Sequence, residues 1–275
     1  MGKLLLIGTP VGNLQDLSPR ALEAIRTCSL LLCEDTRHTR KLLNHFGVTQ
    51  KLESFHEHNE DSRVDRVLDR IAFGEVIGLV SDAGMPVLSD PGYLLVRRAR
   101  ERGVTVEVIP GPFAAAMALA ASGIAPIPFA FFGFAPHRQG ERTDFYRRVA
   151  AAGMTSVIYE TPQRIVASLD DALGVLGDVE VTVGRELTKL HEEFLHGRIS
   201  EVRETFAARD GVKGEITVVF ASAPEESVET PSDLAAEFRR LRESGMRRTD
   251  AVKLLSDRYR LKKSELYKLL LDAEA

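Results

Sequence analysis

A chain of 275 residues, 44% of them hydrophobic and 28% charged, has the balance of a soluble globular protein with room for two modest domains. No apolar run approaches the roughly 20 residues that a bilayer span needs, so no membrane partner is expected. The net charge of −4 argues against a general nucleic-acid coat, yet residues 231–275 carry 11 Lys or Arg against 8 Asp or Glu. That locally basic tail on an acidic body fits a polyanion-contacting module, and ordinary surface solubility accounts for it equally well.

Lys3–Ile7 is the first strand candidate; its apolar run is too short for a signal-peptide core and stops at Gly8-Thr9-Pro10. A loop through Leu17 leads to Ser18-Pro19, with serine as N-cap and proline at the first helical position. Leu30–Cys33, 76–80 and 104–109 are further strands, and Asp90-Pro91 is a second cap-plus-proline helix start. Continuous apolar strands separated by helices predict a parallel sheet covered on both faces. Cys28 and Cys33 have a spacing that fits neither a zinc site nor a disulfide framework, which predicts a cytoplasmic protein.

Ala125-Pro126-Ile127-Pro128 breaks the pattern and is the expected hinge between a domain at 1–124 and another at 125–222. Beyond it, Phe129–Phe134 and 155–159 read as strands around a helix near 141–152, and Thr161-Pro162 as the start of the next helix. Strands at 179–183, 192–196 and 215–220 follow without long helices between them, which favours a mixed sheet. After a polar linker, a third domain at 232–275 shows helical patterns near 232–243, 249–258 and 264–273, the last two in a helix–turn–helix-like arrangement.

Three strand-end loops carry the chemistry. Gly8-Thr9-Pro10-Val11-Gly12-Asn13 suggests close backbone approach to a nucleotide cofactor, but proline stands where the dinucleotide fingerprint needs glycine. Ser81 to Gly92 is long for a strand-to-helix connection, since such loops usually run about 2–6 residues. Pro110-Gly111-Pro112-Phe113 runs into alanines that let a helix end pack against a flat ligand, or simply against a sheet. His56-Glu57-His58 puts two histidines on one face of a strand, and no further Cys or His completes a metal site.

In this order and spacing the loops resemble those of the tetrapyrrole-methylase superfamily. The strings from Cys33 to Arg40, Ser81 to Gly92, Tyr159 to Arg164 and Gly184 to Lys189 are similar to its branch that methylates a ribose 2′-hydroxyl of ribosomal RNA. The resemblance implies two α/β domains with S-adenosylmethionine in the cleft between them, plus a small helical C-terminal domain. It implies cofactor contacts from Pro10, Asp82, Gly84, Met85, Pro86, Phe113 and Ala114, closed from the second domain by Tyr159, Gly214 and Glu215. One departure is Gly84-Met85-Pro86, where corrin and porphyrin methylases have Gly-Asp-Pro, so cofactor contacts there would rest on backbone. The implied partner is 16S ribosomal RNA within the 30S subunit, the implied target a decoding-centre cytidine, and the implied assembly a homodimer.

Methyl transfer to a hydroxyl is an in-line displacement in which alignment can contribute about 7–11 kcal/mol and a general base about 10²–10⁴-fold. Asp35, Asp82, Glu160, Glu186 and Glu192 are the carboxylates in motif strings that could take the proton. Arg20, Arg37, Arg185 and Lys189 could orient phosphates, while Arg247, Arg248, Lys262, Lys263 and Lys268 could grip RNA from the tail. Ordinary ion pairs and a packing appendage are the alternatives. So are a small-molecule tetrapyrrole methylase and a non-catalytic RNA-binding protein on a methylase scaffold.

Overall fold

The computed structural model of the protein describes residues 2–222, 234–259 and 266. Residues 1–223 pack as one compact unit and 224–275 as another. The expected third tail helix near 264–273 lies outside the described residues except for Leu266, and so do Lys262, Lys263 and Lys268.

The first sheet is wholly parallel. Its strands are β1 (Lys3–Ile7), β2 (Leu30–Cys33), β3 (Leu52–Ser54), β4 (Val76–Leu79) and β5 (Thr105–Ile109), in the order β3-β2-β4-β1-β5. Side chains alternate between faces along each strand. Leu4, Leu6, Leu30 and Leu32 enter one core with α3 (Glu57–Ala72) and α4 (Tyr93–Glu101). Leu5, Ile7, Leu31 and Cys33 enter the opposite core with α1 (Pro19–Thr27) and α2 (Thr36–His45). The two apolar faces explain the near-continuous leucine runs. Ser18 caps α1 as its sequence predicts, accepting the Ala21 N–H at 3.1 Å.

Two expected starts move. At Asp90-Pro91 the chain is still turning: Gly92 sits at φ 125° and α4 begins at Tyr93. A Cβ on Gly92 would come within 2.5 Å of Leu79, so the backbone there passes close under the sheet. His56-Glu57-His58 is not a strand; β3 has ended, and His56 is the N-cap of α3, its N–H bonded to the Asn59 side chain at 2.9 Å.

The second sheet is mixed, as expected. Its strands are β6 (Phe129–Phe134), β7 (Thr155–Glu160), β8 (Glu180–Arg185), β9 (Glu193–Arg198) and β10 (Ile216–Phe220), in the order β6-β7-β10-β8-β9. Only β6 and β7 run parallel. Helices α6 (Gln139–Ala151), α7 (Ile165–Leu176) and α8 (Ile199–Ala207) cover one face. The eight-residue α5 (Ala114–Ala121) covers the other, packing its alanines on β7, β8 and β10. Helix α8, nine residues long, stands between β9 and β10, where the sequence pattern predicts no long helix. Nor does α7 open at Thr161-Pro162. The Glu160 carboxylate takes the Thr161 N–H at 2.7 Å, a turn follows, and the helix starts at Ile165.

In the C-terminal unit, α9 (Leu234–Glu243) and α10 (Arg248–Tyr259) bury Leu234, Phe238, Ala251, Val252 and Leu255 together with Leu266. Glu237 holds them in register by pairing with Arg258 and accepting the Tyr259 hydroxyl. Arg247 and Arg248 are exposed on this unit.

Candidate active site

Parallel pairing brings the carboxyl ends of β1, β4 and β5 to one edge of the first sheet, where ligands of open α/β sheets bind. Their loops are tied to one another by backbone. Thr9 and Gly84 exchange N–H···O bonds of 2.9 and 3.2 Å, and the Thr9 hydroxyl donates to the Ser81 carbonyl at 3.1 Å. Gly8 and Gly111 meet back to back: a Cβ on Gly111 would lie 2.7 Å from the Gly8 Cα. Glycine is required there by the approach of two main chains, and Gly84 is required by its φ of 84°.

The second sheet supplies the facing wall. Tyr159 and Glu160 end β7, Gly214 and Glu215 precede β10, and Phe134 ends β6. Between the two walls lies a cleft of about 360 Å³, lined from the first side by Asp82, Gly84, Met85, Asp90, Phe113 and Ala114. Phe131 stacks edge-on with Phe113 and Tyr159 at centroid distances of 5.2 and 4.9 Å, and Phe134 meets Tyr159 at 5.3 Å. Burial pushes the Tyr159 phenol up to about 12, so it stays protonated, against the Ala115 N–H.

Glu160 is the most enclosed polar group in the cleft, its side chain fully buried. One oxygen accepts the Thr161 N–H and pairs with Arg164 at 2.7 Å. The other, Oε2, is buried without a hydrogen-bond partner. A buried carboxylate oxygen left unmatched in a ligand-sized cleft is a ready acceptor, because such groups are otherwise satisfied.

A carboxylate group that sequence reasoning missed occupies the first side. Asp90 lines the cleft with Asp82, and burial, then Glu34 and then Asp82, push it up to about 7, with the Ser81 hydroxyl offsetting part of the rise. Glu34 is raised as well, by burial and then by Asp82. Only the loop's unusual length pointed here; Asp90 reads in sequence as a helix cap. Among the described residues the non-glycines with positive φ fall in two loops: Val87 and Ser89 after β4, where Ser89 lines the cleft, and Glu186 and Thr188 after β8. Such conformations cost about 1–3 kcal/mol each and cluster where a loop is shaped for function.

A second cleft of about 300 Å³ adjoins the first and shares Val11, Asp82, Ala83 and Glu215 with it. Pro10 and Lys189 line this one rather than the first. The Asn13 N–H donates to the Thr188 hydroxyl at 3.0 Å, which joins the loop after β1 to the loop after β8.

Several expected residues lie elsewhere. Glu186 is bound to Lys189 at 2.7 Å and to the Glu215 N–H at 2.9 Å, which bends the loop after β8 over Gly214. Its carboxyl is held below the usual range, chiefly by Lys189. Arg185 pairs with Glu193 at 2.9 Å, Glu192 accepts the Thr188 N–H at 2.6 Å, and Pro86 is buried under the loop. Asp35 caps α2 and pairs with the exposed Arg37, while Arg20 pairs with Glu107 at 2.8 Å. None of these lines either cleft.

Residues 3–203 match the family of tetrapyrrole (corrin/porphyrin) methylases. The chain belongs to this family. Among its relatives, "Ribosomal RNA small subunit methyltransferase I" of Synechocystis sp. is 40% identical over 278 aligned positions, covering 100% of this chain and 99% of that protein. The protein of the same name from Thermotoga maritima is 42% identical over 221, covering 80% of this chain and 99% of its own length. These place the chain in the ribosomal RNA small subunit methyltransferase I group of the family. The fold is shared with diphthine synthase (TM-score 0.63, 15% identity, 79% of this chain and 89% of that one). It is shared also with uroporphyrin-III-C-methyltransferase from Thermus thermophilus (TM-score 0.54, 17% identity, 80% and 94%).

Methylases of this fold take S-adenosylmethionine as methyl donor, and it is the cofactor of this family member. The first cleft fits it. The volume falls within the roughly 300–1,000 Å³ of small-molecule sites, the aromatic wall suits a purine, and Glu160 Oε2 is a buried acceptor with no partner in the protein. The floor at Gly84 is bare backbone, where a Cβ would come 3.2 Å from the Pro112 carbonyl.

Proposed function

We propose that this chain transfers a methyl group to the ribose 2′-hydroxyl of a decoding-centre cytidine in 16S ribosomal RNA, in the cytoplasm and on the 30S subunit. The observation that carries the proposal is the full-length match, at 40% identity, to a relative named as a small-subunit ribosomal RNA methyltransferase. The carboxylates Asp82 and Asp90 line the cleft and suit a hydroxyl, a weak nucleophile that gains most from a proton acceptor as the methyl is transferred. The halves 1–124 and 125–222 act in this reading as the two walls of the site, except that α5 of the first half packs on the second sheet. The exposed Ile127 and Phe129, at the edge of the second sheet, are the surface through which a homodimer would form.

In this reading Met85, Phe113, Ala114, Phe134 and Tyr159 enclose the cofactor, and the Gly84 and Gly214 backbones border it. Glu160 Oε2, buried and unpartnered, would accept a hydrogen bond from it. Bound S-adenosylmethionine supplies an electrophilic methyl group on a sulfonium. The apolar wall keeps water from that methyl, while Asp82, common to both clefts, receives the proton of the hydroxyl. Lys189 is held beside Glu186 and Glu215, whose charges outweigh the burial that works against its own. It fixes the loop rather than meeting the reacting atoms. Most of the rate then comes from alignment. Asp82→Asn should lower kcat by about 10²-fold with cofactor affinity intact; a loss above about 10³-fold would mean that base catalysis outweighs alignment.

The test of the proposal is labelled methyl transfer to 30S subunits, free 16S RNA and a tetrapyrrole, with digestion to locate the modified nucleoside. A 2′-O-methylcytidine from 30S is the expected product. Label in a base, or in the tetrapyrrole alone, would refute it.

A further inference from the structure

We infer that His38 and Lys41 form a subsite for an RNA phosphodiester in the second cleft, beside the cofactor site. The inference rests on the proposed RNA activity and extends it to the substrate's backbone. Helix α2, Thr-Arg-His-Thr-Arg-Lys-Leu-Leu-Asn-His, contains no acidic residue, and Arg37, His38, Arg40, Lys41 and His45 are all exposed on it. Residues three apart share a helix face, so His38 and Lys41 point the same way. Both line the second cleft.

Charge in that cleft is segregated. Its acidic residues, Asp82 and Glu215, are the ones it shares with the cofactor cleft. The residues that line it alone include His38, Lys41 and Lys189 and no acid. Lys189 is engaged by Glu186 and Glu215. The side chains of His38 and Lys41 make no hydrogen bond or ion pair with any described residue, unlike that of Arg37, which Asp35 holds. Two unengaged donors at one end of a cleft, with carboxylates at the junction, match a phosphodiester whose ribose lies towards the methyl donor. On a ribose the 2′-hydroxyl neighbours the 3′-phosphate. Gripping that phosphate here brings the hydroxyl to Asp82, where both clefts meet. The phosphate contact and the proton acceptor then belong to adjacent loops of one sheet edge, and RNA capture does not rest on the basic tail alone.

The test uses the full-length enzyme and labelled transfer to 30S subunits, comparing wild type with His38→Ala/Lys41→Ala, Lys41→Glu and Lys41→Arg. The double variant should raise the RNA KM roughly 10- to 100-fold and make the log–log salt dependence shallower by about 0.7 per lost contact. The KM for S-adenosylmethionine should not move. Lys41→Arg should restore most of the RNA KM and Lys41→Glu should worsen it further. Arg147→Ala, on the remote α6, controls for net charge and should behave as wild type. A double variant with wild-type RNA KM and salt slope overturns the subsite alone, as does an equal effect from Arg147→Ala. Competition by inorganic phosphate that Lys41→Glu abolishes while the RNA KM stays wild type would assign the cleft to a free anion and overturn it too. A wild-type enzyme that transfers no methyl to ribosomal RNA overturns the proposed function and the subsite with it.

Discussion

Replacing Asp90 by Asn tests whether the carboxylate group in the cleft is held there against its own electrostatics. An aspartate raised from 3.8 to about 7 binds its proton more tightly folded than unfolded. The native state therefore holds the extra proton between those two values, and stability falls as pH rises through that window, then levels off above about 7. At about 1.36 kcal/mol per pH unit the full rise corresponds to about 4 kcal/mol. Asp90 is only partly buried, so solvent screening reduces this to about 2 kcal/mol. Asn keeps the shape and has no charge to desolvate. Asp90→Asn should thus unfold about 4 °C above wild type at about pH 8, and roughly a third to two thirds of that advantage should remain at about pH 5. Paired thermal melts at the two pH values, without cofactor, measure it. Equal melting at the alkaline pH, or a variant less stable there, would show that the charge is compensated and that burial and neighbouring carboxylates do not set its cost.

Gly111→Ala places a methyl 2.7 Å from the Gly8 Cα and 2.9 Å from its carbonyl carbon, and neither main chain can step aside without moving a cofactor loop. It should cost about 1–3 kcal/mol in denaturant melts and weaken S-adenosylmethionine in calorimetry; wild-type values in both would mean that the loops are not in the contact described. Glu160→Gln keeps an acceptor for the Thr161 N–H and strands Arg164, so a loss of about 3 kcal/mol in stability is expected. Cofactor affinity should fall roughly 10- to 100-fold with it, as a charge-assisted bond becomes a neutral one. Unchanged calorimetry would remove Glu160 Oε2 from the site.

The second-domain residues of the cofactor set show how far local pattern reaches. Tyr159, Gly214 and Glu215 lie far along the chain from Gly84 and Phe113, yet all five line one cleft, and the family resemblance groups them. Asp90 escapes notice in the sequence because an Asp-Pro pair after a loop reads as a helix cap. Only the fold puts Glu34 and Asp82 around it. Glu186 and Arg185 suggest chemistry because charged residues in a motif string look functional. In space their charges are consumed by Lys189 and Glu193. His38 and Lys41 draw no attention because a basic helix is ordinarily a solvated face.

The amino-acid sequence by itself determined nine of the ten strands among the described residues, missing the three-residue β3, together with the parallel first sheet, the mixed second sheet and the loops that carry the family. Each depends on side-chain periodicity or on the backbone freedom of glycine and proline, which act within a few residues. The tertiary structure decided which charges face a cleft and which face each other. Burial and the distance between remote groups set the free energy of a charge, and neither exists until the two sheets have packed.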